Sequence, residues 1–494
     1  MNYLFSRRNV VRTYFVSGRI QVKAILIQLC TVIMLGVCPG GSALAASEQP
    51  DAQQSSGRGD VAIPSEGRRL SKADALQLEK RLEQDPHDLS ARSKLLGYYF
   101  HRASRQLGVA ATIDARRRHI HWLINNYPDS DLAGMPEITI DPAGHSLADR
   151  EGYEAAKLLW EEQIEKHQAD TAILRNAARF VQLHDKQLAE SYLKEANDSV
   201  SLGLLYAEGV LKIAMQTHTG LPVGIGRSEQ DNSFSIKAKQ ALDDSSDPKV
   251  LASAIHYLFM RGPIAQAFAR KQMDIDPVEY GAELTRKLEA ICASCVTDFW
   301  PLYFQMKRMM ARTEEEKKTL ARRELNYLEK SSGLAAGMDQ MDESNRRVFE
   351  ASMISKLLNA AFAAGELAKA KDYANRLLMT DFVVNSAGRA GNEIHAANII
   401  LGRIALKQGD LKRAKEHLRK AGQVSGGATL SSFGPNMSLA KELLEQGEAQ
   451  IVLEYLDLCN LFWDRGREDL QHWEVTIRKG GMPDFGANLG YGLE

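Results

Sequence analysis

Residues 401–421 read LGRIALKQGDLKRAKEHLRKA, and their spacing decides the fold class. Leu401-Gly402 and Ala405 fall at helical spacing, Gly409 interrupts, and Leu411, Ala414, Leu418 and Ala421 resume it. Two small residues, Gly402 and Ala414, let a pair of antiparallel helices approach closely, while Leu401 and Leu418 fill the groove beside them. Gly409 takes the tight turn between the helices, where a side chain would be strained.

The same frame recurs on both sides. Upstream it reads Leu357, Ala361, Gly365, Leu367, Ala370, Ala374 and Leu377; downstream it reads Leu439-Ala440, Leu443, Gly447, Ala449, Val452, Leu456 and Cys459. The turn glycines stand 44 and 38 residues apart, and the loops 380–393 and 422–435 absorb the excess over a repeat of about 34. A large-small pair on a first helix, a glycine turn and small residues on a second resemble the tetratricopeptide repeat (TPR) superfamily. The resemblance is good over about 345–465 and fragmentary over 70–330, where Leu96-Gly97, Leu202-Gly203 and Ala189, Leu193 and Ala196 echo it. It implies an all-α chain of helical-hairpin repeats, a TPR-like α-solenoid clearest in the C-terminal part. It also implies a concave groove lined by the first helix of each hairpin. By register, Asn359 and Phe362, then Arg403 and Lys407, face that groove. A basic, amide-lined groove suits a carboxylate or an acidic, extended peptide.

Two blocks, SFGPNMSLAKELL at 432–444 and PDFGANL at 483–489, resemble closing segments of uncharacterised exported bacterial TPR-like proteins. Gly434-Pro435-Asn436 reads as a helix entry, with Pro stopping the previous segment and Asn capping the next. The tail 479–494 lacks helix formers and is expected to cap the last hairpin.

The first 45 residues set the expected compartment. Arg7, Arg8, Arg12, Arg19 and Lys23 make a positive, acid-free start. An apolar run over 24–37 follows, then Ala43-Leu44-Ala45 in the small-x-small pattern that signal peptidase reads. Residues 1–45 therefore read as a signal peptide of an exported chain, periplasmic or secreted. The apolar run is short of the roughly 20 residues that span a bilayer, and no later run replaces it, so no transmembrane segment is expected in the mature chain. Ser6 to Arg12 resembles a twin-arginine motif set apart from the apolar core, and Leu35 to Cys38 resembles a lipoprotein box with Val37 where a small residue belongs. Neither is adopted.

Composition narrows the function. The chain carries 62 basic and 63 acidic residues; the five leader cations gone, the rest is net −6. That argues against a nucleic-acid partner. Five cysteines become three when Cys30 and Cys38 leave, so a disulfide-dense scaffold is excluded. Residues 46–69 are rich in Ser, Gln, Gly and Pro and read as a flexible linker. The remaining boundaries are 70–330 for a degenerate repeat-like region and 331–478 for the clearer hairpins.

Motifs with chemistry are few. Cys292-x-x-Cys295 suits thiol exchange or half a metal site, but no second CxxC or redox-fold context accompanies it. It reads as a candidate local disulfide or as small helical residues. No HExxH occurs, His119 and His121 fall on different helix faces, and Gly224-Ile225-Gly226 lacks the strand a phosphate loop needs. Arg116-Arg117-Arg118 is the densest basic run; adjacent residues spray around a helix, so it reads as a solvated patch. No metal or cofactor is expected. The function expected is a protein-binding scaffold with a protein or peptide partner, and not an enzyme. The rival is an all-α (α/α) toroid acting on carbohydrate, with acids housed in loops 129–150 and 220–233.

Overall fold

Aspartate opens helix after helix in this chain. Asp88, Asp149, Asp170, Asp185, Asp276, Asp342 and Asp410 each accept a hydrogen bond from a first-turn backbone N–H. Ser71 and Asp74 form a reciprocal capping box. Each such cap supplies about 1 kcal/mol and fixes where the helix begins. The computed structural model describes residues 64–143, 146–168, 170–216, 229–268, 275–331, 341–385 and 390–490. The leader and most of the linker lie outside them. The described residues are all-helical, with no strand among them, and no helix among them is long and apolar enough to cross a membrane.

Two compact units divide the chain, one running to Tyr257 and the other from Leu258, apart from a short segment ending at Ile275 that belongs to the first. In the first unit the helices are α1 (Lys72–Gln84), α2 (Leu89–His101), α3 (Ala103–Leu107), α4 (Val109–Asn126), α5 (Arg150–Lys166), α6 (Thr171–Val181), α7 (Lys186–Glu195), α8 (Ser199–Gln216) and α9 (Glu229–Asp244). Helix α10 (Pro248–Phe268) carries the boundary. From α4 to α9, each helix packs on the next. Trp160 and Tyr98 are the largest fully buried side chains here. Residues 64–69, which the composition places in the linker, instead form a 3-10 turn packed on α2. The reason is Gly97: a Cβ there would lie 1.7 Å from the Pro64 carbonyl oxygen, so only glycine leaves room for the turn.

The second unit continues with α11 (Pro277–Ile291), α12 (Phe299–Met310), α13 (Glu314–Ser331), α14 (Glu343–Ala363), α15 (Leu367–Leu378), α16 (Asp381–Val384), α17 (Gly391–Lys407), α18 (Leu411–Gly422), α19 (Ala428–Phe433), α20 (Ser438–Glu445), α21 (Ala449–Cys459) and α22 (Arg467–Arg478). The pairs α14/α15, α17/α18 and α20/α21 each pack together, α15 also packs on α17, and α18 on α21. Their three turns are alike in detail. Gly365, Gly409 and Gly447 adopt φ of 80°, 78° and 81°. At each turn the residue after the glycine donates to a carbonyl five residues back: Glu366 to Ala361, Asp410 to Ala405 and Glu448 to Leu443, at 2.9, 2.9 and 3.0 Å. These bonds satisfy helix-end carbonyls that would otherwise be orphaned. Gly402 serves two neighbours: a Cβ there would lie 3.2 and 3.4 Å from His417 Cβ and the Ala414 carbonyl oxygen of α18, as its spacing suggests, and 2.3 Å from Leu439 of α20.

The two blocks at 432–444 and 483–489 meet. Met437 N–H donates to the Asn488 carbonyl at 2.7 Å, and the Asn488 amide donates to the Phe433 and Pro435 carbonyls. Phe485 is buried edge-on against Trp473, whose indole N–H donates to the Asp484 carbonyl. Asn436, one residue before the Met437 N-cap of α20, accepts a hydrogen bond from Ser438 N–H through its Oδ1. Beneath them His395 is buried, its Nδ1–H donating to the Ala421 carbonyl and its Nε2 accepting from Asn436 N–H. Burial pulls that imidazole down to about 4, so it stays neutral and keeps both bonds.

Candidate functional site

Helix α14 carries Asn359 and Phe362 one turn apart, and α17 carries Arg403 and Lys407 likewise. The structure brings three of these four groove candidates to one spot. The Arg403 guanidinium lies 4.9 Å from the centre of the Phe362 ring, and the Lys407 ammonium lies 5.2 Å from it. Two cations share one aromatic ring, each stabilised by about 0.5–1 kcal/mol at such exposure.

Their electrostatics differ. Arg403 is committed to Glu442 of α20, through Nε at 2.9 Å and Nη2 at 2.7 Å. Lys407 is exposed and has no ion pair among the described residues. The charge open to a ligand is therefore that of Lys407, with Arg403 holding the ring and the neighbouring helix. Asn359 is half-buried, and its Oδ1 has no hydrogen-bond partner.

Register reading missed two residues. Glu442 is one: nothing in the spacing links it to Arg403, because the contact depends on how α20 packs on α17. Glu393 is the other. It shares a face with Ala396, Ile400, Arg403 and Lys407 by 3–4 spacing. Its Oε2 is buried without a partner among the described residues, and burial raises its carboxyl above the usual range.

Comparison with family models, with characterised proteins and with solved structures finds no match to this chain. The geometry therefore carries the functional argument.

The triple arginine does not form the solvated patch its sequence suggests. Arg116 is only 4% exposed and donates to the Glu137 and Thr139 carbonyls at 3.3 and 2.7 Å. Burial pulls its guanidinium down to about 10, opposed by Asp141, Asp149 and Glu137. Arg117 grips Asp149, the N-cap of α5. Arg117 keeps part of its side chain in solvent, and Arg118 is exposed, 3.6 Å from Glu79. Asp141 in turn pairs with His184 at 2.7 Å. Asp141 and Asp149, in the second half of loop 129–150, are thus engaged in holding it, while Asp129 and Asp131 at its start are exposed. Loop 220–233 and Gly224-Ile225-Gly226 lie largely or wholly outside the described residues.

His119 is buried in a bracing cluster. Its Nε2–H donates to Glu79 Oε1 at 2.9 Å, its Nδ1 accepts from Arg92 at 2.9 Å, and Tyr99 donates to the same Glu79 oxygen at 2.5 Å. Arg92 also lies 3.5 Å over the Trp122 ring. Burial pushes the Glu79 carboxyl up, but the bonds from His119 and Tyr99 and the charge of Arg118 outweigh it and hold Glu79 at about 2. Burial, chiefly, lowers His119 below 6.5. Both groups make acid destabilising. His119 begins to lose its contribution as pH falls through 6.5, where the unfolded chain takes up the proton first. Glu79 adds stability above pH 4.5 and loses it toward pH 2. Urea midpoints measured from pH 7 to pH 2 should show Glu79→Gln less stable by ~2 kcal/mol at pH 7 and converging on the wild type near pH 2. Parallel curves would mean that Glu79 is not the group held down.

Cys292 and Cys295 are joined by a disulfide between the C-cap of α11 and the short 3-10 turn that follows. Cys459 is a buried free thiol in the core of the second unit. No group of three or more metal-ligating side chains occurs among the described residues.

Proposed function

We propose that this chain is an exported, TPR-like α-solenoid scaffold that binds an acidic, extended segment of another protein along α14, α17 and α20. The convergence of Arg403 and Lys407 on Phe362 is the observation that carries the reading. It supplies an apolar platform, an open cation and an adjoining amide on one line of helices, which is what an extended acidic peptide needs. The three matching glycine turns support the repeat architecture, and the leader sequence supports export.

The test is a fluorescence-anisotropy titration with short extended peptides of graded acidity. Affinity should rise with acidity and fall at least tenfold in the Phe362→Ala/Lys407→Glu variant, as expected for one lost cation and one lost apolar anchor at about 1 kcal/mol or more each. Binding that ignores acidity, or survives in the variant unchanged, would remove the groove. Polysaccharide cleavage by the wild type would remove the scaffold reading altogether.

A further inference from the structure

A second surface of the C-terminal unit stands apart from the groove and does not depend on it. Helices α15 and α18 both pack on α17. Together they carry Lys369, Lys371, Arg376, Lys412, Arg413, Lys415, Arg419 and Lys420 against only Asp372 and Glu416, in a chain whose remainder is net acidic. At the outer edges of this pair the cations are matched by acids from the neighbouring helices. Lys369 pairs with Glu329 of α13 at 2.7 Å. Lys415 pairs with Glu448 at 3.0 Å, and Arg419 with Glu454 of α21 at 2.8 Å.

The seam where α18 meets α17 has no such match. Arg413, His417 and Lys420 fall at i, i+4 and i+7 on one side of α18, and Lys371 of α15 lies within electrostatic reach of the same histidine. Lys371 and Lys420 are exposed and have no ion pair among the described residues, and Arg413 has only Asp410 on its own helix. His417 sits between them, hydrogen-bonded through Nδ1 to Asn398 Oδ1 of α17 at 2.9 Å. Burial lowers its pKa first, and Lys420, Arg413 and Lys371 add to that against a single opposing acid, Glu416. Like charges set across a seam destabilise it unless an anion lies between them. Just past the end of α15, Met379 and Val384 leave their apolar side chains 80% and 64% exposed.

We propose that this seam docks on an anionic lipid surface, with Lys371, Arg413 and Lys420 taking phosphate headgroups and Met379 and Val384 entering the interface. Exposed cations on α15 and α18, together with exposed apolar side chains just past the C-terminal end of α15, are the chemistry that such a surface recognises.

The full chain should be titrated with vesicles of phosphatidylcholine containing phosphatidylglycerol, with phosphatidylcholine vesicles and with inorganic phosphate. The readout is the His417 imidazole signal in the NMR spectrum, which does not register binding through the apolar leader. Phosphatidylglycerol vesicles should raise the His417 pKa and neutral vesicles should leave it alone. The Lys371→Gln/Lys420→Gln variant should weaken the response about thirtyfold, from about fivefold for each lost cation. Both lysines are exposed, so an unchanged circular-dichroism melt checks that the variant folds. Met379→Ser/Val384→Ser should weaken vesicle binding without changing the unbound His417 pKa. A response to inorganic phosphate as large as that to vesicles would overturn the lipid assignment in favour of a free anion. No response of His417 to any of the three, or the same response in the lysine variant, would overturn the seam as a site.

Discussion

Arg308→Met should destabilise the C-terminal unit by about 3–5 kcal/mol, because it strands a buried carboxylate. Arg308 of α12 and Glu324 of α13 are 5% and 1% exposed, and they form a close ion pair. Gln305 adds only a long contact to the same carboxyl. Burial pushes the Glu324 carboxyl above its usual range even with Arg308 beside it. Without the guanidinium the charged form loses its main compensation. The double variant Arg308→Met/Glu324→Leu removes both charges at nearly constant volume and should recover most of the loss. A pH series separates this from lost packing. Glu324 can take up a proton, so the penalty of the single variant should shrink as pH falls, whereas a packing defect would not change. A double variant as unstable as the single would show that shape, not charge, holds α12 to α13.

The two kinds of information in the sequence were unequally legible. Helical character and the three turns could be read because they are local. Gly365, Gly409 and Gly447 each sit one turn beyond a run of apolar residues, and their φ values near 80° follow from the chemistry of a helix end. The convergence of Phe362 with Arg403 and Lys407 was nearly local too, since it needs only that α14 and α17 run side by side. What escaped was whatever depends on a third element. Adjacent arginines point in three directions, as spacing implies, but only the carbonyls of Glu137 and Thr139 determine that Arg116 is the one drawn inward. Pro64 and Gly67 look like linker residues until Gly97 leaves a docking place on α2. Glu442 stayed hidden because an acid on an amphipathic helix resembles every other solvated acid, and only the packing of α20 on α17 sets it against Arg403.

Gly434 shows the same limit in a residue whose local meaning was plain, and it yields the other large expected effect. In sequence it reads as the breaker before Pro435 and Asn436. In the fold it has φ of 93°, and a Cβ added there would lie 2.4 Å from the Trp463 indole. Gly466 presses on the same ring, where a Cβ would lie 2.3 Å away, so the indole has no room to retreat. Trp463 is buried and packs at 5.8 Å on Trp473, which in turn holds Phe485 of the tail. Gly434→Ala therefore meets two penalties: about 1–3 kcal/mol for a backbone at φ 93° and ψ −176°, a region essentially only glycine occupies, and about 1–3 kcal/mol for overpacking. A loss of about 3 kcal/mol in denaturant unfolding is expected, with altered tryptophan fluorescence as the indole is displaced. Gly447→Ala is the steric control, because Gly447, at a helix-end turn, also has a positive φ, of 81°, but nothing lies within 4 Å of an added Cβ. It should lose only the backbone share, about 1–2 kcal/mol. Equal losses at the two glycines would mean that the indole yields freely. The tail would then be held by the Asn488 hydrogen bonds to Phe433 and Pro435, and Asn488→Ala would release it while Gly434→Ala would not.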